Sequence, residues 1–269
     1  MRKLLAFLLV VVLLSSMGTA RAESASQTEI VVFAAASMTE ALQRIARQYQ
    51  VVAPNVTLTF NFDSSGTLQT QIEEGAYADV FISASQKQMD ALDASAGIDK
   101  NPDAQDFVLQ GTRFDLLTNT LVLIVPEGSN KDITSFADAG TDKVDLIALG
   151  NSDVPVGQYA QEVFAFLGLW DQLNTTGKVT FASNVKEVLS QVAQAAVDCG
   201  VVYVSDAATG TGITVAANAP TGSHKPVNYP AAVLRNTMQP EAAMAFLNYL
   251  KGEEATGVFT EIGFAIPQR

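Results

Sequence analysis

The sequence predicts an α/β protein of two lobes, each built on a mainly parallel sheet. Short apolar runs alternate with amphipathic stretches from Glu29 onward, as in strands joined by crossover helices. The strand–turn–helix pattern occurs both before and after the apolar run Leu121–Val125. Finally, a chain of 269 residues suits two lobes of about 100 residues each better than one large sheet.

The first residues do not belong to that fold. Met1-Arg2-Lys3 is basic, Leu4–Leu14 is apolar, and Ala20-Arg21-Ala22 fits a small-x-small cleavage site. Residues 1–22 therefore read as a secretory signal peptide, with an apolar run too short for a membrane span. No cysteine stands at the cleavage point to take a lipid, so the expectation is an exported, periplasmic protein cleaved near Ala22 and not a lipoprotein.

Ile30–Phe33 predicts a strand and Met38–Gln50 a helix, followed by strand Val56–Phe62 and helix Thr67–Glu74. Val80–Ile82 is a short strand and Gln86–Ala94 a helix. Leu121–Val125 is a strand ended by Pro126-Glu127-Gly128. Strand Leu146–Leu149, helix Gly157–Leu167, strand Val179–Phe181, helix Val185–Ala196 and strand Cys199–Val204 follow. Val227–Ala232 is a strand whose Pro230 suits an edge or a crossover. Helices Glu241–Leu250 and Glu253–Thr260 close the chain. No Ser/Gly-rich or Pro-rich linker separates the halves, so ordered strands are expected to cross between them. The expected division is 23–120 with 220–269 for lobe 1, and 121–219 for lobe 2.

The net charge of −12 becomes −15 once Arg2, Lys3 and Arg21 leave with the signal peptide. Such a field repels nucleic acid and anionic membranes, and any anion site must work through local dipoles. Cys199 and His224 are the only residues of their kinds, which argues against a disulfide or a transition-metal cluster. Cys199 lies in an apolar run and reads as buried.

Anion chemistry is nonetheless suggested at four expected helix starts. Ser37-Met38-Thr39-Glu40 reads as a capping box, and the bare run Ala34–Ala36 ahead of it lets a ligand approach the backbone. Ser65 opens the second helix after Asp63-Ser64. Pro155 fixes the entry of the third, and Asn184 to Glu187 has N-cap spacing for the fourth. A hydroxyl beside free N–H groups and the positive end of a helix dipole suits an anion. Tyr203, ending an apolar strand, can donate a hydrogen bond into a cleft. Asp79, Asp90 and Asp93 have no acid–base partner in sequence. Ser183-Asn184-Val185-Lys186 matches Ser-x-x-Lys, but without Ser-Asp-Asn or Lys-Thr-Gly.

Several segments in order resemble the molybdate-binding proteins of bacterial ABC importers. They are Val32-Phe33-Ala34-Ala35-Ala36-Ser37, Phe62-x-Ser64-Ser65-Gly66-Thr67-Leu68, Ala78-Asp79-Val80-Phe81-Ile82-Ser83-Ala84, Asp153-Val154-Pro155-x-Gly157 and Val202-Tyr203-x-Ser205-Asp206-Ala207. The resemblance implies a two-lobed periplasmic-binding-protein fold of type II with a hinged cleft. It further implies a site for molybdate or tungstate made of two serines, two backbone N–H groups and a tyrosine, here Ser37, Ser65, Val156, Val185 and Tyr203. Val156 stands where the family often has alanine, and Asp63 where it commonly has a small neutral residue.

The implied role is that of a binding protein, not an enzyme, with no cofactor. Its expected partners are the oxyanion and a membrane permease, with no nucleic acid, and it is expected to be a monomer. Molybdate at neutral pH has only acceptor oxygens, which suits a site of donors alone, whereas a protonated phosphate would leave its proton unmatched. The competing expectations are a sulfate or organic-acid binding protein and an exported Ser183–Lys186 hydrolase.

Overall fold

Two five-stranded sheets organise the protein, whose computed structural model describes residues 27–267. The expected signal peptide lies outside the described residues. The chain runs β1 (Thr28–Ala35), a 3-10 turn Ala36–Met38, α1 (Thr39–Val52), β2 (Val56–Asp63), α2 (Ser65–Glu73), β3 (Val80–Ile82), α3 (Gln86–Leu92), β4 (Phe114–Asn119) and β5 (Leu121–Pro126). It continues through β6 (Ile147–Gly150), α4 (Pro155–Phe166), α5 (Trp170–Thr175), β7 (Val179–Ala182), α6 (Val185–Ala193), β8 (Cys199–Tyr203), α7 (Val204–Thr209) and β9 (Ile213–Asn218). The last elements are β10 (Val227–Val233), α8 (Pro240–Leu250) and α9 (Glu253–Glu261).

The first sheet has the order β2-β1-β3-β10-β4 and the second β7-β6-β8-β5-β9. In each, three strands pair in parallel, and one inner strand, β10 or β5, runs against both of its neighbours. The α/β two-lobed class is as expected, but the sheets are mixed. The reversed strands are those at which the chain changes sheet, β4 to β5 through Thr120 and β9 to β10 through residues 219–226, so no crossover helix sets their direction. Pro230 is accordingly not on an edge. It sits between β3 and β4 at a register shift, where a missing N–H leaves the ladder least disturbed.

Strands covered on both faces are continuously apolar: Leu121 to Val125 are all buried, as are Cys199 to Tyr203. Four elements had no sequence signal strong enough to place them: β4, β9, α5 and α7. β9 is half-exposed at the sheet edge beside β5, and β4 lies at the edge beside β10, so neither needs an apolar run. α8 packs on β1 and β10, and α9 on α1, which returns the end of the chain to the first sheet. The loops after β1, β2, β6, β7 and β8 each lead straight into a helical turn, and the turn after β1 touches α6 and α7, which follow strands of the second sheet.

Candidate functional site

The helix starts converge through direct contacts between the lobes. The start of α2 lies so close to the loop before α4 that a Cβ on Gly66 would stand 2.2 Å from the Asp153 carbonyl oxygen. At the start of α6, Asn184 donates from Nδ2 to Asp63 Oδ1 at 3.3 Å. The 3-10 turn carrying Ser37 packs against both α6 and α7. Ser37, Ser65, Val156, Val185 and Tyr203 are each buried.

Each start is built differently. The Ser37–Glu40 capping box does not form. A 3-10 turn moves the start of α1 to Thr39, with Met38 at the N-cap, and Ser37 caps nothing. Its Oγ instead lies 2.9 Å from Tyr229 Oη on β10. At α2 the adjacent serines divide the work. Ser64 is the N-cap, accepting the Thr67 N–H at 3.1 Å, and Ser65 Oγ accepts the Ala84 N–H at 2.9 Å. Pro155 occupies the first position of α4, and Asn184 caps α6 by accepting the Glu187 N–H. Val156 and Val185 therefore stand in first helical turns, whose N–H groups the helix cannot satisfy, and no loop carbonyl accepts from either among the described residues.

Tyr203 ends β8 and stands at the N-cap of α7. Its hydroxyl is fully buried and has no hydrogen-bond partner among the described residues, and its ring centroid lies 5.9 Å from that of Tyr229. Burial, with smaller contributions from Tyr229, Tyr159 and Asp206, raises the phenol well above its ordinary value, so it is a donor at neutral pH. An orphaned buried hydroxyl costs stability unless something accepts from it. Among the described residues the Tyr203 hydroxyl and the first-turn N–H groups of Val156 and Val185 are thus donors without an internal acceptor, as an acceptor-only ligand would need.

The nearby charges are engaged elsewhere. Lys186 Nζ bridges the lobes, 2.7 Å from Glu40 and 3.0 Å from the fully buried Asp206. Burial opposes its charge, but the two carboxylates outweigh it and raise the ammonium above the ordinary lysine value. Asp63 accepts the Ser64 N–H at 2.7 Å as well as the Asn184 amide, so its carboxylate is occupied at the helix start. The Ser183–Lys186 pairing expected of a hydrolase is not made. Ser183 Oγ donates to Glu187 at 2.8 Å, and a lysine held protonated between two carboxylates cannot serve as a base. Burial pushes the Cys199 thiol up to about 12, which leaves it unreactive. Asp79, Asp90 and Asp93 do have partners in the fold: Asp79 takes the Val31 N–H, and Arg113 pairs with Asp90 and Asp93.

Two residues at this junction escaped sequence reasoning. Tyr229 ends up beside Ser37, 192 positions away in the chain, and Asn119 beside Tyr229, 110 positions away, and their only sequence signal is a polar residue inside or closing an apolar strand.

Comparisons with known proteins agree with this architecture. The family model for bacterial extracellular solute-binding proteins matches residues 30–265. The molybdate-binding protein ModA of Escherichia coli (strain K12) is 40% identical over 249 residues, covering 90% of this chain and 91% of that protein. A putative ABC transporter substrate-binding lipoprotein of Bacillus subtilis (strain 168), YvgL, is 33% identical, covering 90% of this chain and 88% of its own. Among solved structures, the substrate-binding domain of a putative molybdenum ABC transporter from Clostridium difficile is 38% identical, with a TM-score of 0.66, covering 90% of this chain and 100% of that one. The periplasmic molybdate-binding protein of Azotobacter vinelandii superposes with a TM-score of 0.77 at 23% identity, over 89% of this chain and 100% of its own, a likeness of fold.

Proposed function

The chain belongs to the family of bacterial extracellular solute-binding proteins, and we propose that it captures molybdate, or tungstate, and delivers it to the membrane permease of an ABC importer. The observation that carries this reading is the buried Tyr203 hydroxyl without a partner, set among helix starts whose N–H groups are equally unclaimed. In the proposed site Ser37, Ser65 and Tyr203 donate from their hydroxyls, and Val156 and Val185 from their backbone N–H groups. The ligand's charge is balanced by helix dipoles, with no cationic side chain in contact. The relatives named for molybdate support the choice of ligand.

Lobe 1 (23–120 and 220–269) supplies the two serines, and lobe 2 (121–219) the tyrosine and the two N–H groups. The lobes hinge at the two strand crossings, and closure completes the donor set. The protein acts as a monomer without catalysis or cofactor. It is exported, with an unlipidated N terminus near Glu23, which mass spectrometry of the mature protein checks.

A thermal-shift panel of molybdate, tungstate, sulfate and phosphate tests the ligand. A ligand at about 1,000 times its Kd stabilises the native state by about 4 kcal/mol. Molybdate and tungstate should raise the melting temperature strongly and phosphate should not. Stabilisation by sulfate alone would refute the reading.

A further inference from the structure

Tyr229 touches Ser37 and Asn119 touches Tyr229, and this chain sets the direction in which Ser37 hydrogen-bonds. Asn119 Oδ1 accepts the Thr120 N–H at 2.9 Å, which orients the amide. Its Nδ2, with two hydrogens and no free lone pair, therefore faces the other way and donates to Ser205 Oγ at 2.8 Å and to Tyr229 Oη at 3.4 Å. A phenol has one hydrogen. Asn119 can only donate to its oxygen, so among the described residues Ser37 Oγ, at 2.9 Å, is the one hydrogen-bond partner left to accept that hydrogen. Ser37 thus accepts from Tyr229, and its own hydrogen is left for another acceptor. Ser65 is set the same way, because its Oγ already accepts the Ala84 N–H.

We propose that Asn119 and Tyr229 form a polarity relay that keeps Ser37 a donor, so that the site prefers an oxyanion without protons over one of equal charge that carries a proton. This deepens the reading that Ser37 holds an oxyanion and rests on it. Hydrogen phosphate must place its proton on an acceptor. Ser37 has Tyr229 donating to it, Tyr229 has Asn119 donating to it, and Ser65 has Ala84 donating to it. Each hydroxyl keeps a second lone pair, but taking the phosphate proton there turns that serine's own hydrogen away from the anion, so phosphate either buries an unmatched proton or gives up a donor bond. Tyr229 and Asn119 are positioning residues: they act through Ser37.

A double-substitution cycle tests the relay by calorimetric titration with molybdate at pH 7, using the wild type, Ser37→Ala, Tyr229→Phe and the double variant. Tyr229→Phe is expected to weaken binding about tenfold when Ser37 is present and less than about twofold when it is absent. A merely structural tyrosine would cost the same in both backgrounds, and that result overturns the relay. Melting temperatures without ligand show whether each variant folds. Should Tyr229→Phe not fold, Asn119→Asp replaces it. The carboxylate keeps the Thr120 bond but accepts from Tyr229 and reverses the chain. The ratio of molybdate to phosphate affinity should then fall at least about tenfold, and an unchanged ratio overturns the proposal. A wild type that binds no molybdate refutes the functional reading itself, whereas a wild type that binds while the two substitutions act independently refutes the relay alone.

Discussion

Replacing Tyr203 with phenylalanine removes one oxygen and should move stability and affinity in opposite directions. The Tyr203 hydroxyl is buried without a partner among the described residues, so the ligand-free protein loses none of the hydrogen bonds made there. Deleting an unsatisfied buried polar atom relieves a desolvation cost, so the melting temperature should hold or rise, by the equivalent of up to about 1 kcal/mol. The bound protein loses a donor to a charged acceptor, worth about 1.5–3 kcal/mol, or about 10- to 150-fold in Kd. The ring itself stays, and with it the edge contact to Tyr229. Calorimetric titration with molybdate, paired with thermal melts in its absence, reads both signs. A Kd within about twofold of wild type would show that the hydroxyl does not face the ligand. A large drop in ligand-free stability would show that it has a protein partner after all.

Three further outcomes follow from the same geometry. Gly66→Ala places a methyl against the Asp153 carbonyl and should block closure, weakening molybdate at least about tenfold with little change in ligand-free melting; small-angle scattering should then show no contraction on adding molybdate. Lys186→Met leaves Asp206 buried beside no cation and should cost about 3 kcal/mol in urea denaturation, the lower end for a broken buried pair because Lys186 is partly exposed, with Asp206→Asn recovering part of it. Stability should fall in acid. Burial alone would raise the Asp93 carboxyl, but Ser95 and the Arg113 guanidinium hold it below the usual range, and the Lys143 ammonium with Thr134 and Ser135 holds Asp138 lower still. A carboxylate depressed in the folded state stabilises it above its unfolded value, and that contribution is lost as pH falls from about 4 toward the folded values; urea midpoints at pH 6 and pH 3 measure the loss.

The legible parts of the sequence were those governed by local rules. Alternation marked the buried strands and every helix except the short α5 and α7, and Asn184 capped its helix at the spacing its neighbours implied. Ser37 was misread as a cap because Ser-x-x-Glu is a local pattern, whereas the 3-10 turn that frees its hydroxyl is set by packing against α6 and α7. β9, half-exposed at the edge of its sheet, needs little apolar patterning and left little trace. Tyr229 could not be assigned from spacing, because its contact with Ser37 exists only after the chain has visited the second sheet and returned.

Division of the donors between lobes explains why a strongly acidic protein can hold a dianion without a cationic grip. In the proposed site neither lobe alone surrounds the ligand. Lobe 1 brings Ser37 and Ser65, and lobe 2 brings Tyr203 with the N–H groups of Val156 and Val185. An open cleft offers an anion half the donors in water, where each is worth little, and closure removes the water as it adds the other half. A lysine at the site would hold the anion from one lobe and reduce the gain on closing. Lys186, the cation next to Val185, is engaged by Glu40 of the opposite lobe and by Asp206 of its own, so it reinforces closure while its charge is already compensated. In the proposed site the free energy of binding is thereby concentrated in the closed form, and opening the lobes would release the ligand.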